Sequence, residues 1–125
     1  MIRAQIAIEY VFVQGFALLI LIGLLTTLLA VQSRTNEDIA SQQAEDIAAQ
    51  IQQELVLASS VHNGYERTVV LPANIQGQDY SIELAASAVY VRVGDYNAIQ
   101  PIPSVNGTMS PGENTITNTG GVQVN

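Results

Sequence analysis

A single carboxylate stands near the head of a long apolar segment. The chain opens MIRAQIAIEYVFVQGFALLILIGLLTTLLAVQSR, and Glu9 is the only acidic residue in that stretch. A carboxylate surrounded by hydrocarbon is costly unless a cation or hydrogen-bond donors neutralise it. The chemistry that this placement predicts is electrostatic rather than catalytic, because Glu9 needs a positively charged or donating partner.

A second chemical signal lies far along the chain. Asn106-Gly107-Thr108 matches the Asn-X-Thr acceptor of N-glycosylation. The surrounding NGTMSPGEN stretch is rich in glycine, proline and polar residues and predicts a loop. Asn106 is therefore the candidate glycosylation site.

Other kinds of site have little support in the sequence. Cysteine is absent, so disulfides and thiolate metal ligands are excluded. The one histidine, His62, is expected to cap a helix or to lie on the surface, and zinc sites and Ser-His-Asp triads lack their usual groups. Asp79 and Asp95 supply too few closely spaced oxygen ligands for a calcium site. The sequence predicts a protein that is not an enzyme and that holds no metal and no cofactor.

The charge balance narrows the classes of partner. The 125 residues carry a net charge of −7, with four arginines and no lysine. Binding to nucleic acid needs a basic patch, and docking on anionic lipid needs clustered basic residues, so neither is expected. An acidic surface instead keeps an exposed domain soluble.

The apolar segment is long enough to cross a bilayer. Residues 10–33 contain no charged side chain, and a spanning helix needs about 20 apolar residues. Arg3 precedes the segment, whereas Arg34 is followed by Glu37 and Asp38. The positive-inside rule therefore favours a cytoplasmic amino terminus and an external carboxyl-terminal part.

Two glycines interrupt the apolar segment. Gly15 and Gly23 lie eight residues apart, which places them on roughly one face of a helix. Glycine is common in membrane helices generally, but small residues also let helices approach closely. We predict that both are helix-packing positions, either in a membrane or in a bundle.

The helix is predicted to continue beyond the apolar segment to about residue 61. Residues 34–61 place apolar side chains at three- and four-residue steps and fill most of the other face with acids and glutamines, which indicates an amphipathic helix. Cap-type residues at 33–36 leave a local kink open. The apolar stripe consists of Ile39, Ala40, Ala44, Ile47, Ala48, Ile51, Leu55 and Ala58.

After residue 62 the pattern is that of strands. The expected fold class is α+β, with a long N-terminal hydrophobic helix and a small, mostly antiparallel sheet of about four to six strands that packs on the stripe. The chain would comprise a leader at 1–4, a helix at 5–61 that divides after residue 33, and a β-rich domain at 62–125. Strands are predicted for the segments YERTVVLP, DYSIELA, AVYVRVG, TIT and VQV. A hairpin turn is predicted at Ala86-Ser87, further turns at ANIQGQ and DYNA, and an edge segment at IQPIPSV. We expect the strand tyrosines to be core or half-buried residues, namely Tyr65, Tyr80, Tyr90 and Tyr96.

This order of parts resembles the type IV pilin superfamily and, within it, the archaeal pilins with a class III signal peptide. The family motif runs Gln, any residue, a small residue, any residue, Glu and an aromatic. Here it reads Gln5-Ile6-Ala7-Ile8-Glu9-Tyr10, with Ala7 where serine is more usual. The motif is confined to the start of the helix, whereas the likeness of architecture covers the whole chain.

The resemblance implies that a prepilin peptidase cuts between Ala4 and Gln5, with Arg3 supplying the leader's basic charge. The new amino terminus would offer a cation, free N–H groups and a helix dipole to Glu9 of a neighbouring subunit, and this pairing would fix the axial register. If Gln5 cyclises to pyroglutamate, Glu9 accepts only neutral hydrogen bonds or is itself protonated. The sequence leaves both states open.

The function that the resemblance implies is that of a structural pilin subunit. The precursor would lie in the cell membrane and polymerise into an extracellular archaeal type IV pilus for adhesion and surface attachment. Its partners would be other copies of the chain, the peptidase, an assembly ATPase and a membrane platform protein. Two alternatives stay open, namely a minor pilin-like subunit and a single-pass, membrane-anchored domain that binds a ligand such as sugar at the cell surface.

Overall fold

One long helix is followed by seven strands, which confirms the α+β fold class. The computed structural model describes residues 2–61 and 63–125, with side chains from residue 5 onward. The helix, α1, occupies Ile2–Ser60. The strands are Tyr65–Leu71 (β1), Tyr80–Leu84 (β2), Ala88–Val93 (β3), Tyr96–Pro101 (β4), Val105–Gly107 (β5), Gly112–Asn118 (β6) and Val122–Val124 (β7).

The helix has no proline, and its last glycine is Gly23, so nothing interrupts its backbone hydrogen bonds in the second half. Residues 33–36, where the sequence left a kink open, are helical. Gly64, which follows the helix end, has a φ of 104° and accommodates the left-handed turn that ends it. His62, predicted to be a cap or surface residue, lies outside the described residues. The chain separates into two compact units, residues 1–36 and 37–125.

The core of the second unit is the predicted apolar stripe of α1 together with the inner faces of two sheets. Ala44, Ala48, Ile51 and other members of the stripe are fully buried. Ile39 is the exception, since 37% of it is exposed. Each residue advances about 100° around a helix, which carries Ile39 off the stripe that begins with Ala40.

The strands form two sheets rather than the single small sheet predicted. A four-stranded sheet has the order β1-β6-β7-β5, and a three-stranded sheet has the order β2-β3-β4. The expected number of four to six strands was therefore too low. The pairs are antiparallel except β5 with β7, which is parallel.

The local turn predictions are mostly confirmed. β2 and β3 form the expected hairpin, with Val89, Val91 and Val93 buried on one face. The ANIQGQ turn is present, with Gln76 and Gly77 at φ of 50° and 74° between the bridged residues Ile75 and Gln78.

Two loop predictions were wrong in part. DYNA was expected to be a turn, but β4 already begins at Tyr96, because Gly94, with a φ of 55°, completes the reversal earlier. The segment that follows is nevertheless an edge strand, as its prolines predicted.

The NGTMSPGEN segment was predicted to be a loop, yet both of its ends lie in strands, since it begins with the end of β5 and finishes with the start of β6. Gly107 has a φ of 118°, and a Cβ atom there would lie 1.9 Å from the carbonyl oxygen of Val124. Only glycine permits β5 to approach β7 so closely. The close approach draws Asn106 into a strand.

Candidate functional site

The first unit presents an unbroken apolar surface to its surroundings. Every described side chain from residue 5 to residue 36 is exposed, and the exposure of its large hydrophobic residues runs from 50% at Ile22 to 75% at Phe12. The most apolar window of the helix has a mean hydropathy of 2.3 with none of it buried. By length and composition, α1 could cross a membrane. A surface of this kind needs lipid or other protein to cover it.

The predicted processing and register residues lie together at the start of this surface. Gln5 and Glu9 are both exposed in α1, and their spacing of four residues places them on one face. Ala4 belongs to the same helix, but its side chain lies outside the described part. Among the described residues, Glu9 forms no ion pair. The carboxylate therefore remains available to a partner.

Gly15 lies at an apolar groove on the helix surface. The groove has a volume of about 310 Å³ and is lined by Tyr10, Val11, Gln14, Gly15 and Leu18. A Cβ atom at Gly15 would meet nothing within 4 Å. The missing side chain thus leaves a notch that another helix can fill.

Gly23 has a different local setting. Its carbonyl accepts hydrogen bonds from the hydroxyls of Thr26, at 2.9 Å, and Thr27, at 3.0 Å. Threonine hydroxyls that donate to a carbonyl of their own helix have their hydrogen bond satisfied, so they can lie in an apolar environment. The spacing of three and four residues from Gly23 is the sequence signal for such bonds.

The candidate glycosylation residue is exposed at the edge of a sheet. Asn106 lies in β5, which ends the strand order of the four-stranded sheet, and its side chain is exposed. β5 has only three residues. The geometry leaves the Asn106 amide accessible, although it stands on a short edge strand and not in a free loop.

In the second unit, polar contacts hold the sheets on the helix. Arg67 of β1 forms an ion pair with Glu54 of α1 at 3.2 Å. On the three-stranded sheet, the Gln52 side chain donates to the carbonyl oxygen of Pro101 at 2.7 Å, and the Tyr96 hydroxyl donates to the Glu45 carboxylate. That hydrogen bond, with some desolvation, raises the pKa of Tyr96 above its ordinary value.

Asn118 fastens the end of the helix. Its side-chain amide donates to the carbonyls of Ala58, at 2.8 Å, and Val61, at 3.0 Å. Its side-chain oxygen accepts from the backbone N–H groups of Gly120 and Gly121. No local sequence signal marks this residue, because the contact joins positions about sixty residues apart along the chain.

The four strand tyrosines are buried or half-buried, as predicted. Tyr80 is 6% exposed and its hydroxyl donates to the carbonyl of Pro72 at 2.6 Å; its burial raises the pKa of this phenol. Tyr65, Tyr90 and Tyr96 are half-buried. These contacts are those of structural side chains.

The surface of the second unit has an acidic depression. It has a volume of about 610 Å³, and Glu37, Asp38 and Asp95 contribute to its lining. Within the residues that the structure describes, no group of three or more His, Cys, Asp or Glu side chains could hold a metal ion.

Comparison with known proteins gives one match. No curated protein and no solved structure was found to match the chain. One family model matches residues 3–124, and it thus spans the apolar segment and both sheets. The chain belongs to that family, DUF7266, a family of unknown function.

Proposed function

We propose that this protein is a structural pilin subunit that polymerises into an extracellular archaeal type IV pilus for adhesion and surface attachment. The observation that carries the proposal is the uncovered apolar helix of residues 5–36, joined in sequence to a unit that has its own core. Such a helix would be covered by lipid in the membrane precursor and by other copies of the helix in the assembled filament.

The position of Glu9 supports the bundle. It is exposed on the same helical face as Gln5, and no described residue forms an ion pair with it. In a bundle of identical helices, the amino terminus of one subunit can supply the cation and N–H donors that the carboxylate of the next subunit requires. Gly15 and Gly23 would allow the helices close approach.

The remaining parts of the proposal follow from the same assembly. A prepilin peptidase would cut between Ala4 and Gln5, and an assembly ATPase and a membrane platform protein would move the subunit from the membrane into the filament. The precursor would have its amino terminus inside and its second unit outside. The exposed Asn106 would then lie where N-glycosylation occurs.

Two other functions are distinguished from this one by simple observations. A minor pilin-like subunit would be scarce in isolated filaments. A membrane-anchored binding domain would keep its leader and would not form filaments.

A matched pair of substitutions tests the role of Glu9. We expect Glu9→Gln to reduce the yield of sheared filaments by about tenfold or more, because a buried ion pair loses one partner. Glu37→Gln makes the same chemical change at an exposed position of α1, and we expect it to leave the yield unchanged. Equal filament yields from Glu9→Gln and the wild type would contradict the proposed pairing.

A further inference from the structure

Two glutamines of the apolar segment lack the hydrogen bonds that its threonines make. Thr26 and Thr27 donate to carbonyl oxygens of their own helix. The side chains of Gln14 and Gln32 are exposed, and within the described part of the chain neither forms a hydrogen bond. A carboxamide has two N–H donors and an oxygen that accepts. Each glutamine therefore needs a partner wherever water is absent.

Gln14 has the greater need of the two, because apolar residues lie on both sides of it. Residues 11–13 and 15–25 carry no polar side chain. Tyr10 lies one turn before Gln14, and among the described residues no hydrogen bond joins the two side chains. Gln32, by contrast, is followed at once by Ser33 and Arg34, where water can reach it. In a bilayer, the amide of Gln14 therefore requires a partner from another molecule.

The two glutamines lie on one line along α1. They are eighteen residues apart, which is about five turns of a helix. Leucines occupy the same line between them, at alternating steps of four and three residues. This alternation is the a and d pattern of a two-stranded coiled coil. We name the line the glutamine seam, and it consists of Gln14, Leu18, Leu21, Leu25, Leu28 and Gln32.

The glutamine seam has room for a second helix. The exposure of its leucines runs from 56% at Leu18 to 63% at Leu21. The groove of about 310 Å³ beside Gly15 opens on the same side, since Gln14 and Leu18 both line it. A side chain of a neighbouring helix can enter this groove next to the Gln14 amide.

The partner that fits the Gln14 amide is the same amide of a second copy. A carboxamide both donates and accepts, so two of them are complementary to each other. A second copy crosses the same bilayer in the same direction and at the same depth, which brings Gln14 beside Gln14 without any axial shift. A polar residue at a core position of a parallel coiled coil also fixes the register of the two helices.

The glutamine seam is separate from the residues that serve the proposed filament. Gln5 and Gly23 each lie nine residues from Gln14, which is about two and a half turns and places them on the opposite side of α1. Glu9 lies five residues before Gln14 and is turned about 140° from it. A pair that joins through the seam would leave Gln5 and Glu9 uncovered.

We propose that the membrane precursor is an in-register, parallel homodimer that joins through the glutamine seam, with Gln14 hydrogen-bonded to Gln14 of the second copy. The contact is isologous and therefore closed, so it holds two precursors together without starting a polymer. The pair has to separate before the copies take up the axial offset of a helical filament. This inference rests on the membrane precursor of the proposed function, but not on the filament itself.

Two adjacent leucines test the pair, because the natural chain has no cysteine. Leu18→Cys places a thiol on the glutamine seam, and Leu19→Cys places one at nearly the same depth but about 100° around the helix. Both side chains are exposed in the single copy, by 56% and 66%. In membranes that hold the uncut precursor, oxidation by copper phenanthroline should convert at least about fivefold more Leu18→Cys than Leu19→Cys into a disulfide-linked dimer.

A mixture of two chains tests the register. Leu18→Cys and Leu25→Cys lie about 10 Å apart along the helix, and a disulfide needs Cα atoms within about 7 Å of each other. When two differently tagged chains with these substitutions are made in one cell, disulfides should join like chains and not unlike chains.

Substitutions at Gln14 identify the hydrogen bond. In the Leu18→Cys chain, Gln14→Leu removes the amide and keeps the seam apolar, and we expect it to lower the yield of dimer about fivefold. Gln14→Asn keeps an amide and should retain most of the dimer. Thr27→Val is the matched control, since it removes a hydroxyl that its own helix already satisfies, and it should leave the yield unchanged.

Several results would overturn the proposal. Equal dimer yields from Leu18→Cys and Leu19→Cys would show that the glutamine seam is not the contact. Disulfides between unlike chains, as abundant as those between like chains, would show that the copies have no fixed register. A Leu18→Cys product with the mass of a different protein would assign the seam to that protein. A precursor absent from the membrane fraction would contradict the proposed function itself, which differs from a membrane precursor that does not pair.

Discussion

At the scale of single residues, two of the chain's asparagines, Asn106 and Asn118, differ in what their side chains can bind. Asn106 is exposed at a sheet edge, where its amide is accessible to modification. Asn118 is 8% exposed and uses its side chain to join the end of α1 to the turn between β6 and β7. The difference lies in burial, because a buried amide must satisfy its hydrogen bonds within the protein.

Removal of the Asn118 side chain should destabilise the second unit. Asn118→Ala leaves the carbonyls of Ala58 and Val61 without their donor, and we expect a loss of about 1–3 kcal/mol in the free energy of unfolding. Asn97→Ala, at an exposed position of β4, is the control and should change little. Urea unfolding of the full chain in non-ionic detergent measures both. Equal stabilities of the two variants would contradict the fastening role.

At the scale of elements, the second half of α1 is the core helix of the unit. Its apolar stripe is covered by two sheets, which polar contacts hold on opposite flanks. The packing leaves Ile51 with no exposed surface, whereas 37% of the surface of Ile39 is exposed. These two isoleucines on one helix allow a matched comparison.

Ile51→Ala should destabilise the unit by about 2–5 kcal/mol, because it removes buried methylene groups and leaves a cavity. Ile39→Ala makes the same change where the side chain is partly in solvent, and we expect a loss of less than about 1 kcal/mol. Urea midpoints and slopes of the two variants provide the measurement. A larger loss for Ile39→Ala than for Ile51→Ala would refute the assignment of the stripe.

The helix and the β2–β3 hairpin could be predicted from the sequence because both are encoded by local periodicity. Ala44 and Val91, for example, are buried where the helical and strand periods place them. The division into two sheets could not be predicted. β1 pairs with β6 across the whole β-rich region, and β5 pairs with β7 in parallel, and no local pattern encodes such distant partners.

The functional residues likewise include some that local sequence predicts and some that depend on distant contacts. The spacing of Gln5 and Glu9 places them on one helical face without further information. The polar contacts of the second unit depend instead on which strands lie beside α1. The contact of Asn118 with the carbonyls of Ala58 and Val61, for example, is visible only in the folded chain.

At the scale of the whole molecule, the net charge of −7 opposes both folding and association. Salt shortens the range of this repulsion, since the Debye length falls from about 10 Å at 0.1 M to about 3 Å at 1 M. We expect the urea midpoint of the full chain in non-ionic detergent to rise with sodium chloride over this range.

Replacing carboxylates by amides at exposed sites provides the control for the salt effect. A variant with Glu66→Gln, Asp79→Asn and Glu83→Gln carries three fewer negative charges, and its midpoint should rise less with salt than that of the wild type. A midpoint that falls with salt in the wild type would mean that ion pairs such as Arg67–Glu54 outweigh the repulsion.

The central claim is that a processed chain assembles through its exposed apolar helix. The most direct measurement is mass spectrometry of the amino-terminal peptide of protein sheared from cell surfaces. The account predicts abundant filaments whose peptide begins at Gln5 or its pyroglutamate, and the mass also decides whether Glu9 faces a charged amine. An intact Met1 terminus, in protein found only in membranes, would contradict the pilin function and favour a membrane-anchored surface domain.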